Sequence, residues 1–194
     1  MRRCPWAEAT PDLQRYHDLE WGRPVRGDVP LFERLALESF QSGLSWLIIL
    51  RKREAFREAF AGFEIERVAA FSEADRERLL RDTGIVRNAR KIDTTIDNAR
   101  TLAALRADRG DGVLDRMIWS FAPDVWPRPA TAAEVPSSSP ASRALAEALR
   151  ALGIRGVGPT TMHAAMQACG LVDDHLVWCE VPRSPGPARS PGPA

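Results

Sequence analysis

Apolar residues recur at intervals of three and four along most of this 194-residue chain, and that periodicity restricts it to a fold built from helices. The clearest stripe has successive spacings of 4, 3, 4, 3 and 4 positions: Ile85, Ala89, Ile92, Ile96, Ala99 and Ala103. A strand would need alternating apolar and polar residues, and the best candidate, VWCEV at 177–181, is weak. The sequence therefore predicts an all-α protein.

Capping residues and glycines divide the chain into separate helices. Asp28 can cap a helix over about residues 30–40, and a second helix follows over about residues 44–60. The first half of that second helix, LSWLIIL, is apolar on every side, so we expect it to be buried on several faces. A further helix is predicted from a capping box at Ser72 and Asp75 to Gly84, and two more over 113–121 and 139–153. The final predicted helix has Met162, Ala165, Met166 and Cys169 on one face.

The segment LGIRGVGPTT joins the last two predicted helices through a glycine-rich turn. Its Gly-Val-Gly core predicts a helix–hairpin–helix with the hairpin at 153–161. Glycine permits positive φ and a close approach of another backbone, and the following helix N-terminus offers free N–H groups. Such a hairpin can hold a phosphate through Gly156, Gly158 and Thr160. An ordinary turn between packed helices is the alternative interpretation.

Two further segments differ in composition from the helical regions. Proline and small residues are frequent over 122–139, which predicts a long loop, and such loops often carry function. The last twelve residues repeat RSPGPA twice, offer no core-forming side chains, and are expected to be disordered. We therefore predict one domain over 1–182, made of two helical lobes, and a tail over 183–194.

The charge balance limits how the chain could bind other molecules. A formal net charge of +1 excludes a polycation that coats nucleic acid by bulk charge, although residues 51–91 carry 11 basic and 8 acidic residues, a net +3. No apolar run approaches the ~18 residues of a membrane span, and the N-terminus lacks the apolar core of a secretory signal. We therefore expect no membrane contact, a cytoplasmic location and reduced cysteines.

Three cysteines and three histidines raise the question of a metal site. His175 and Cys179 are four residues apart and would share one side of a helix, while Cys4 and His17 lie near the other end of the chain. Two cysteines and two histidines suit tetrahedral zinc in a closed structural site that would join the termini. The alternative is reduced thiols in the core or at the surface. The two residues left over are Cys169, expected in the core, and His163, expected to be exposed.

Aromatic residues gather in the N-terminal part of the chain, near the acidic residue Glu38: Trp6, Tyr16, Trp21 and Trp46. Aromatic planes with one carboxylate can form a pocket for a flat, electron-poor base. A carboxylate between apolar segments is costly unless it is paired, which makes a functional role for Glu38 worth testing. The alternative is that the tryptophans fill a core.

Several runs of residues together carry a family resemblance: RCPWA, YHDLEWG, LESFQSGLSW, GIVRNARKI, GVGPTTMHAAMQACGLVDDH and the later Cys179. Over about residues 2–180 the chain resembles the DNA-3-methyladenine glycosylase I family, which belongs to the helix–hairpin–helix glycosylase superfamily. The resemblance implies excision of 3-methyladenine from double-stranded alkylated DNA by base flipping, which leaves an abasic site. We expect a monomer.

The resemblance also implies roles for individual residues. The implied ligands of a structural zinc ion are Cys4, His17, His175 and Cys179. The implied base pocket consists of Glu38 as the catalytic, base-recognising carboxylate, Tyr16 and Trp46 as aromatic contacts, and Trp6 and Trp21 as walls. The implied DNA contacts are Gly43 and Leu44 at a turn that enters the duplex, and Gly156, Gly158 and Thr160 at the hairpin.

Some features leave other interpretations open. Many glycosylases of the superfamily use an aspartate after the hairpin helix, and Asp173 could supply one; we favour a structural role for it, as an N-cap or a partner of His175. Neither Lys52 nor Lys91 falls in a pocket motif, so no Schiff base is expected. The competing classes are a non-enzymatic zinc-stabilised DNA-binding module, which would lack a base pocket, and a zinc hydrolase, which would need an open metal position.

Overall fold

The computed structural model describes residues 1–183, and this part of the chain contains nine α-helices and three short 3-10 helices but no strand. The prediction of an all-α fold is confirmed. The helices are α1 (Pro11–Leu19), α2 (Asp28–Gln41), α3 (Trp46–Ala59), α4 (Ile65–Ala69), α5 (Glu73–Arg81), α6 (Ala89–Arg109), α7 (Val113–Ser120), α8 (Pro140–Ala151) and α9 (Pro159–Ala168). The 3-10 helices are Pro5–Ala9, Ala61–Phe63 and Ala132–Glu134.

The predicted helix positions agree with these bounds to within a few residues. The capping box forms as expected, because the Ser72 hydroxyl accepts from the Asp75 amide and the Asp75 carboxylate accepts from the Ser72 amide. Among residues 1–183, no helix has both the length and the apolar character needed to cross a bilayer. The predicted tail over 183–194 lies outside the described residues, apart from Arg183.

Helix α2 lies at the centre of the fold and packs against α3, α6, α7 and α9. Its buried side chains include Phe32 and Phe40, and the Phe40 ring lies 4.7 Å from that of Phe56 on α3. Burying a large apolar side chain of this kind contributes roughly 1.5–3 kcal/mol. Because α2 is held on several sides, the residues near its C-terminal end have fixed positions.

Asp28 does not cap its own helix, contrary to the prediction. Gly27 is the N-cap residue of α2, and the buried Asp28 carboxylate accepts hydrogen bonds from the amides of Gly112 and Asp115 at 2.8 and 3.0 Å. Those amides belong to the first turn of α7, whose N–H groups lack partners within their own helix. Asp28 therefore caps a helix that is distant in sequence, which local spacing could not reveal.

The apolar segment LSWLIIL is less buried than predicted. Ile49 is fully buried, but Leu44, Trp46 and Leu47 are only half-buried, and Ile48 is 40% exposed. The expectation of burial on several faces is wrong, because Trp46 lines a cavity and Ile48 is exposed, so only part of this segment packs into the core.

The predicted loop over 122–139 lies across the C-terminal segment, with a 3-10 turn at Ala132–Glu134. Trp126 Nε1 donates to Asp174 Oδ1 at 2.8 Å, and the buried Arg128 guanidinium donates to the Cys179 carbonyl at 3.3 Å. A loop tied in this way to the C-terminal segment can serve as a fixed wall.

Candidate functional site

A cavity of about 430 Å³ lies between the N-terminal segment, helices α1 to α3, helix α9, the 122–139 loop and the C-terminal segment. Its lining combines residues from both ends of the chain with residues from the central helix: Cys4, Pro5, Trp6, Tyr16, Trp21, Glu38, Gln41, Trp46, Ala132, Val135, Ala164, Gln167, Asp174 and Leu176. All five residues predicted for a base pocket are on this lining. This juxtaposition supports the pocket hypothesis over a simple core of tryptophans.

Aromatic rings form the sides of the cavity. The Trp6 ring lies 5.1 Å from Trp21, edge to face, and 6.4 Å from Tyr16, while the Tyr16 ring lies 5.3 Å from Trp46. Burial raises the pKa of the Tyr16 hydroxyl well above its usual value, so the phenol is neutral near pH 7. A flat ligand can stack on these rings, and their π-faces favour positive charge.

Glu38 supplies the acidic group of the cavity and is only 5% exposed. Burial raises the pKa of its carboxyl from 4.5 to about 7, and the nearby guanidinium of Arg34 only partly offsets that rise. Among residues 1–183, no hydrogen bond or ion pair reaches this carboxylate. An acceptor of this kind, without a protein partner, suits a ligand that carries N–H groups or positive charge.

Asp174, which the sequence analysis did not place in the pocket, also lines the cavity. Burial alone would raise the pKa of its carboxyl, but hydrogen bonds from His163, Gln167 and Trp126 outweigh that effect and lower the pKa. His163 is 1% exposed, so the expectation that it is exposed is wrong. Its position off the core stripe faces Asp174, a polar partner in the segment that follows α9.

The cysteine and histidine side chains converge at one side of the cavity. His17 Nε2 and His175 Nδ1 are 3.2 Å apart, and Cys179 Sγ lies 3.5 and 3.6 Å from these two atoms. Cys4 Sγ is 3.9 Å from His175 Nδ1, and all four donor atoms lie within 4.8 Å of one another. The four buried side chains can therefore hold one metal ion. Cys169 is buried in the main core, as expected.

Neighbouring groups orient the two histidines of this cluster. The second ring nitrogen of His17 lies 2.9 Å from Asp18 Oδ1, and that of His175 lies 3.3 Å from the Trp21 carbonyl. Burial raises the pKa of the Cys4 thiol to about 11 and lowers the pKa of His175 to about 4. Uncharged histidine is the form that binds metal, while the Cys4 thiol needs a bound cation to become a thiolate.

Asp173 does not line the cavity. Its carboxylate accepts from the amide of His175 at 3.2 Å and from Arg128 Nε at 2.8 Å. These contacts agree with the structural role favoured by the sequence, since both bonds fix the backbone beside His175.

The residues expected to touch DNA lie on two neighbouring surfaces. Gly43, with φ of +81°, and half-buried Leu44 form a turn between Gln41 and Trp46, both of which line the cavity. Gly156 and Gly158 belong to the connection between α8 and α9, and Thr160 lies in the first turn of α9. A second cleft runs from the α2 end to that connection, and its lining includes Ser42, Arg90, Lys91, Arg155 and Gly156.

Comparison with known proteins gives a consistent result. The family model described as Methyladenine glycosylase matches residues 6–183. The chain is 43% identical over 182 residues to DNA-3-methyladenine glycosylase 1 of Escherichia coli (strain K12), covering 92% of this chain and 96% of that protein.

Solved structures agree with the family match. A crystal structure of 3-methyladenine DNA glycosylase I has a TM-score of 0.87 at 42% identity and covers 92% of this chain and 98% of that one. A variant of 3-methyladenine DNA glycosylase I in complex with 3-methyladenine has a TM-score of 0.86 at 31% identity, covering 95% of this chain and 100% of that one.

The raised pKa of Glu38 predicts a pH-dependent stability difference for Glu38→Gln. Between pH 4.5 and about 7 the folded state binds more protons at this carboxyl than the unfolded state does, so its contribution to stability falls as pH rises. The free energy of unfolding of Glu38→Gln should therefore match that of wild type near pH 4.5. At pH 8 the free energy of unfolding of Glu38→Gln should exceed that of wild type by on the order of 2–3 kcal/mol.

Urea unfolding at several pH values measures this difference. Glu147→Gln removes an exposed carboxylate on α8 and is the matched control, for which the difference from wild type should stay constant. A Glu38→Gln difference that does not change with pH would show that the wild-type carboxyl titrates normally.

Proposed function

This chain belongs to the methyladenine glycosylase family, and from that membership we infer how its cavity performs the reaction. The protein is a DNA-repair enzyme that excises 3-methyladenine from DNA. The observation that carries the assignment of the site is the buried Glu38 carboxylate, which lacks a partner among the described residues and lines an aromatic cavity. A non-enzymatic DNA-binding module is set aside, since the relatives are glycosylases.

In this proposal, charge and shape select the damaged base. Methylation at N3 makes the adenine of the nucleotide cationic, so it stacks favourably on Tyr16 and Trp46. Glu38 accepts hydrogen bonds from the adenine edge, and the arriving positive charge lowers the pKa of its carboxyl again. Trp6 and Trp21 close the sides of the cavity. An unmodified, neutral purine would leave the ionised carboxylate buried without a compensating charge.

The same charge makes the chemical step easy. The bent duplex exposes the nucleotide, Leu44 fills the gap in the base stack, and the base rotates into the cavity. The bond between C1′ and the base nitrogen breaks, its electron pair stays on the base, and the base leaves neutral. Water adds its oxygen to C1′ and loses a proton to solvent, which leaves an abasic site.

Neither lysine is placed to form a Schiff base. Lys52 Nζ donates to the carbonyls of Thr83 and Gly84 at 2.9 and 3.0 Å. Lys91 Nζ likewise donates to two carbonyls at the end of α2. Neither residue lines the cavity, which is consistent with hydrolysis by water alone.

The connection between α8 and α9 is proposed to act as a helix–hairpin–helix that grips a phosphate. Gly156 has φ of +75°, and the first turn of α9 presents the N–H groups of Thr160 and Thr161 without a side-chain cap. Gly158 and exposed Thr160 leave room for a phosphate at that helix end. We also propose that residues 1–182 act as one domain and as a monomer.

The four-residue cluster is proposed to hold a structural zinc ion. Tetrahedral zinc with these ligands requires donor separations of about 3.3–3.8 Å, given Zn–S and Zn–N bonds of about 2.3 and 2.0–2.1 Å. Four of the six separations between donor atoms are 3.2–3.9 Å, close to that requirement, and the remaining two lie within 4.8 Å. The acceptors on the outer ring nitrogens of both histidines are typical of metal-bound histidine. With four protein ligands, zinc would join the two ends of the chain and activate no water.

Excision should depend on Glu38. Wild type should release 3-methyladenine from methylated duplex DNA, and Glu38→Gln should lower the single-turnover rate by on the order of 10²-fold or more, since it removes the negative charge aimed at the cation. Base release measured by chromatography, with Glu147→Gln as the control, tests this. The variant should lose activity while its free energy of unfolding is equal to or greater than that of wild type. A Glu38→Gln enzyme that keeps the wild-type rate would remove Glu38 from the mechanism.

Zinc binding should depend on Cys179. Purified wild type should contain one zinc ion per chain, and Cys179→Ser should lower the affinity for zinc at least about 100-fold, since even outer contacts of metal ligands are worth 10–100-fold. Metal analysis combined with chelator competition measures the affinity. Cys169→Ala removes the remaining buried cysteine and should keep stoichiometric zinc. Retention of zinc at wild-type affinity by Cys179→Ser would refute the ligand set.

A further inference from the structure

Both lysines of this arginine-rich chain bind backbone carbonyls, and the contacts of one of them bear on the reaction. Of 27 basic residues only Lys52 and Lys91 are lysine. Lys91 Nζ donates to the carbonyls of Phe40 and Ser42 at 2.9 and 2.6 Å. These carbonyls belong to the C-terminal end of α2, where carbonyl groups lack partners within the helix and positive charge is favourable.

The turn that follows α2 is held from two sides. Gln41 Nε2 donates to the Leu44 carbonyl at 2.9 Å, and the Leu44 amide donates to the Gln41 carbonyl at 2.7 Å. Lys91 binds the same turn from α6, through the Ser42 carbonyl. Gly43 itself has open space around its α-carbon, so the turn depends on these few hydrogen bonds for its position.

The face of α6 that carries Lys91 continues toward the α8–α9 connection. Residues spaced by 3, 4 and 3 positions share one side of a helix, and four polar residues of α6 follow that spacing: Lys91, Thr94, Asn98 and Thr101. We call this set the polar stripe of α6. It lies beside the apolar stripe that packs into the core.

The second half of the polar stripe holds the hairpin. The Asn98 side chain donates to the Arg155 carbonyl and accepts from the Arg155 amide, both at 2.8 Å. A Cβ placed on Gly156 would lie 3.5 Å from Thr94 Cγ2, and one placed on Gly153 would lie 3.8 Å from Thr101 Cγ2. Asp97, next to the stripe, pairs with the Arg155 guanidinium.

We propose that the polar stripe of α6 fixes the distance between the turn at 42–44 and the hairpin at 153–158, with Lys91 and Asn98 as positioning residues. The inference rests on the proposed function, in which the turn enters the duplex and the hairpin grips a phosphate. Seven residues of a rigid helix separate the two contacts by roughly 10 Å. A fixed separation keeps the inserted Leu44 side chain opposite the flipped nucleotide while the hairpin holds the DNA backbone.

A lysine suits the contact at the end of α2. Its compact ammonium can approach two converging carbonyls, whereas the planar guanidinium of arginine is shaped for parallel oxygen pairs. Burial lowers the pKa of the Lys91 ammonium, whose N–H groups donate to both carbonyls. The matched comparison is Lys52, which makes the same kind of contact with the carbonyls of Thr83 and Gly84, outside both clefts.

The test uses Lys91→Met in the full chain, with Lys52→Met as the control. Three measurements are compared: the single-turnover rate on methylated duplex DNA, the affinity for free 3-methyladenine from tryptophan fluorescence, and the fluorescence of 2-aminopurine placed beside a stable abasic analogue. Lys91→Met should lower the duplex rate by about 10- to 100-fold and weaken the 2-aminopurine response, because a misplaced turn spoils base flipping. Its affinity for free 3-methyladenine should stay within about twofold of wild type, since the cavity is intact.

The control and a second variant separate this account from simpler ones. Lys52→Met should keep the wild-type duplex rate even where its melting temperature falls. The salt dependence of DNA binding should be unchanged in Lys91→Met, whereas a lysine that contacts phosphate directly would reduce the slope by about 0.9. Should Lys91→Met fail to fold, Asn98→Ala tests the other end of the stripe and should weaken duplex binding at constant affinity for the free base.

Three results would overturn the inference: an unchanged duplex rate in folded Lys91→Met, equal losses in duplex rate and free-base affinity, or a reduced salt slope. In each of these cases an active wild type leaves the proposed function standing. A wild type that releases no 3-methyladenine would instead refute the proposed function, and the inference with it.

Discussion

A buried carboxylate without a partner among the described residues is the constraint around which this molecule is organised. Glu38 lies on α2, the helix that packs against α3, α6, α7 and α9, so the core fixes its backbone. Keeping an ionised carboxyl in that position costs free energy, as its pKa of about 7 indicates. Binding of a cationic base would recover that cost, which ties selectivity for the damaged base to an unfavourable feature of the empty enzyme.

The N-terminal and C-terminal segments supply further walls of the cavity beside α2. Residues from the N-terminal segment and the C-terminal segment both line the cavity, and the four candidate metal ligands lie beside it. The 122–139 loop is tied to the same segment through Trp126 and Arg128. A metal ion there would therefore close the cavity as well as join the termini. The C-terminal end of α2, which carries Glu38, leads to the turn that the polar stripe of α6 holds.

Much of this could be predicted from sequence because the relevant patterns are local or belong to a family. The 3-and-4 periodicity gave the helices, and the Ser72–Asp75 capping box formed as expected. What failed depends on contacts with other segments of the chain. His163 is buried because Asp174 offers it a partner, Asp28 caps α7, and Trp46 lines a cavity. Periodicity reports which face of a helix is apolar and cannot report which side chain or cavity meets it.

The charge state of Glu38 in the free and the occupied enzyme decides whether this carboxylate selects the cationic base. Carbon-13 NMR of the glutamate carboxyl carbons, assigned through Glu38→Gln, gives its pKa. We predict a midpoint near 7 in the free enzyme. With a duplex that carries a non-cleavable cationic analogue of the damaged nucleotide, the midpoint should fall by at least about one unit. A midpoint near 4.5 in the free enzyme, or one that does not move when the cation binds, would contradict the account.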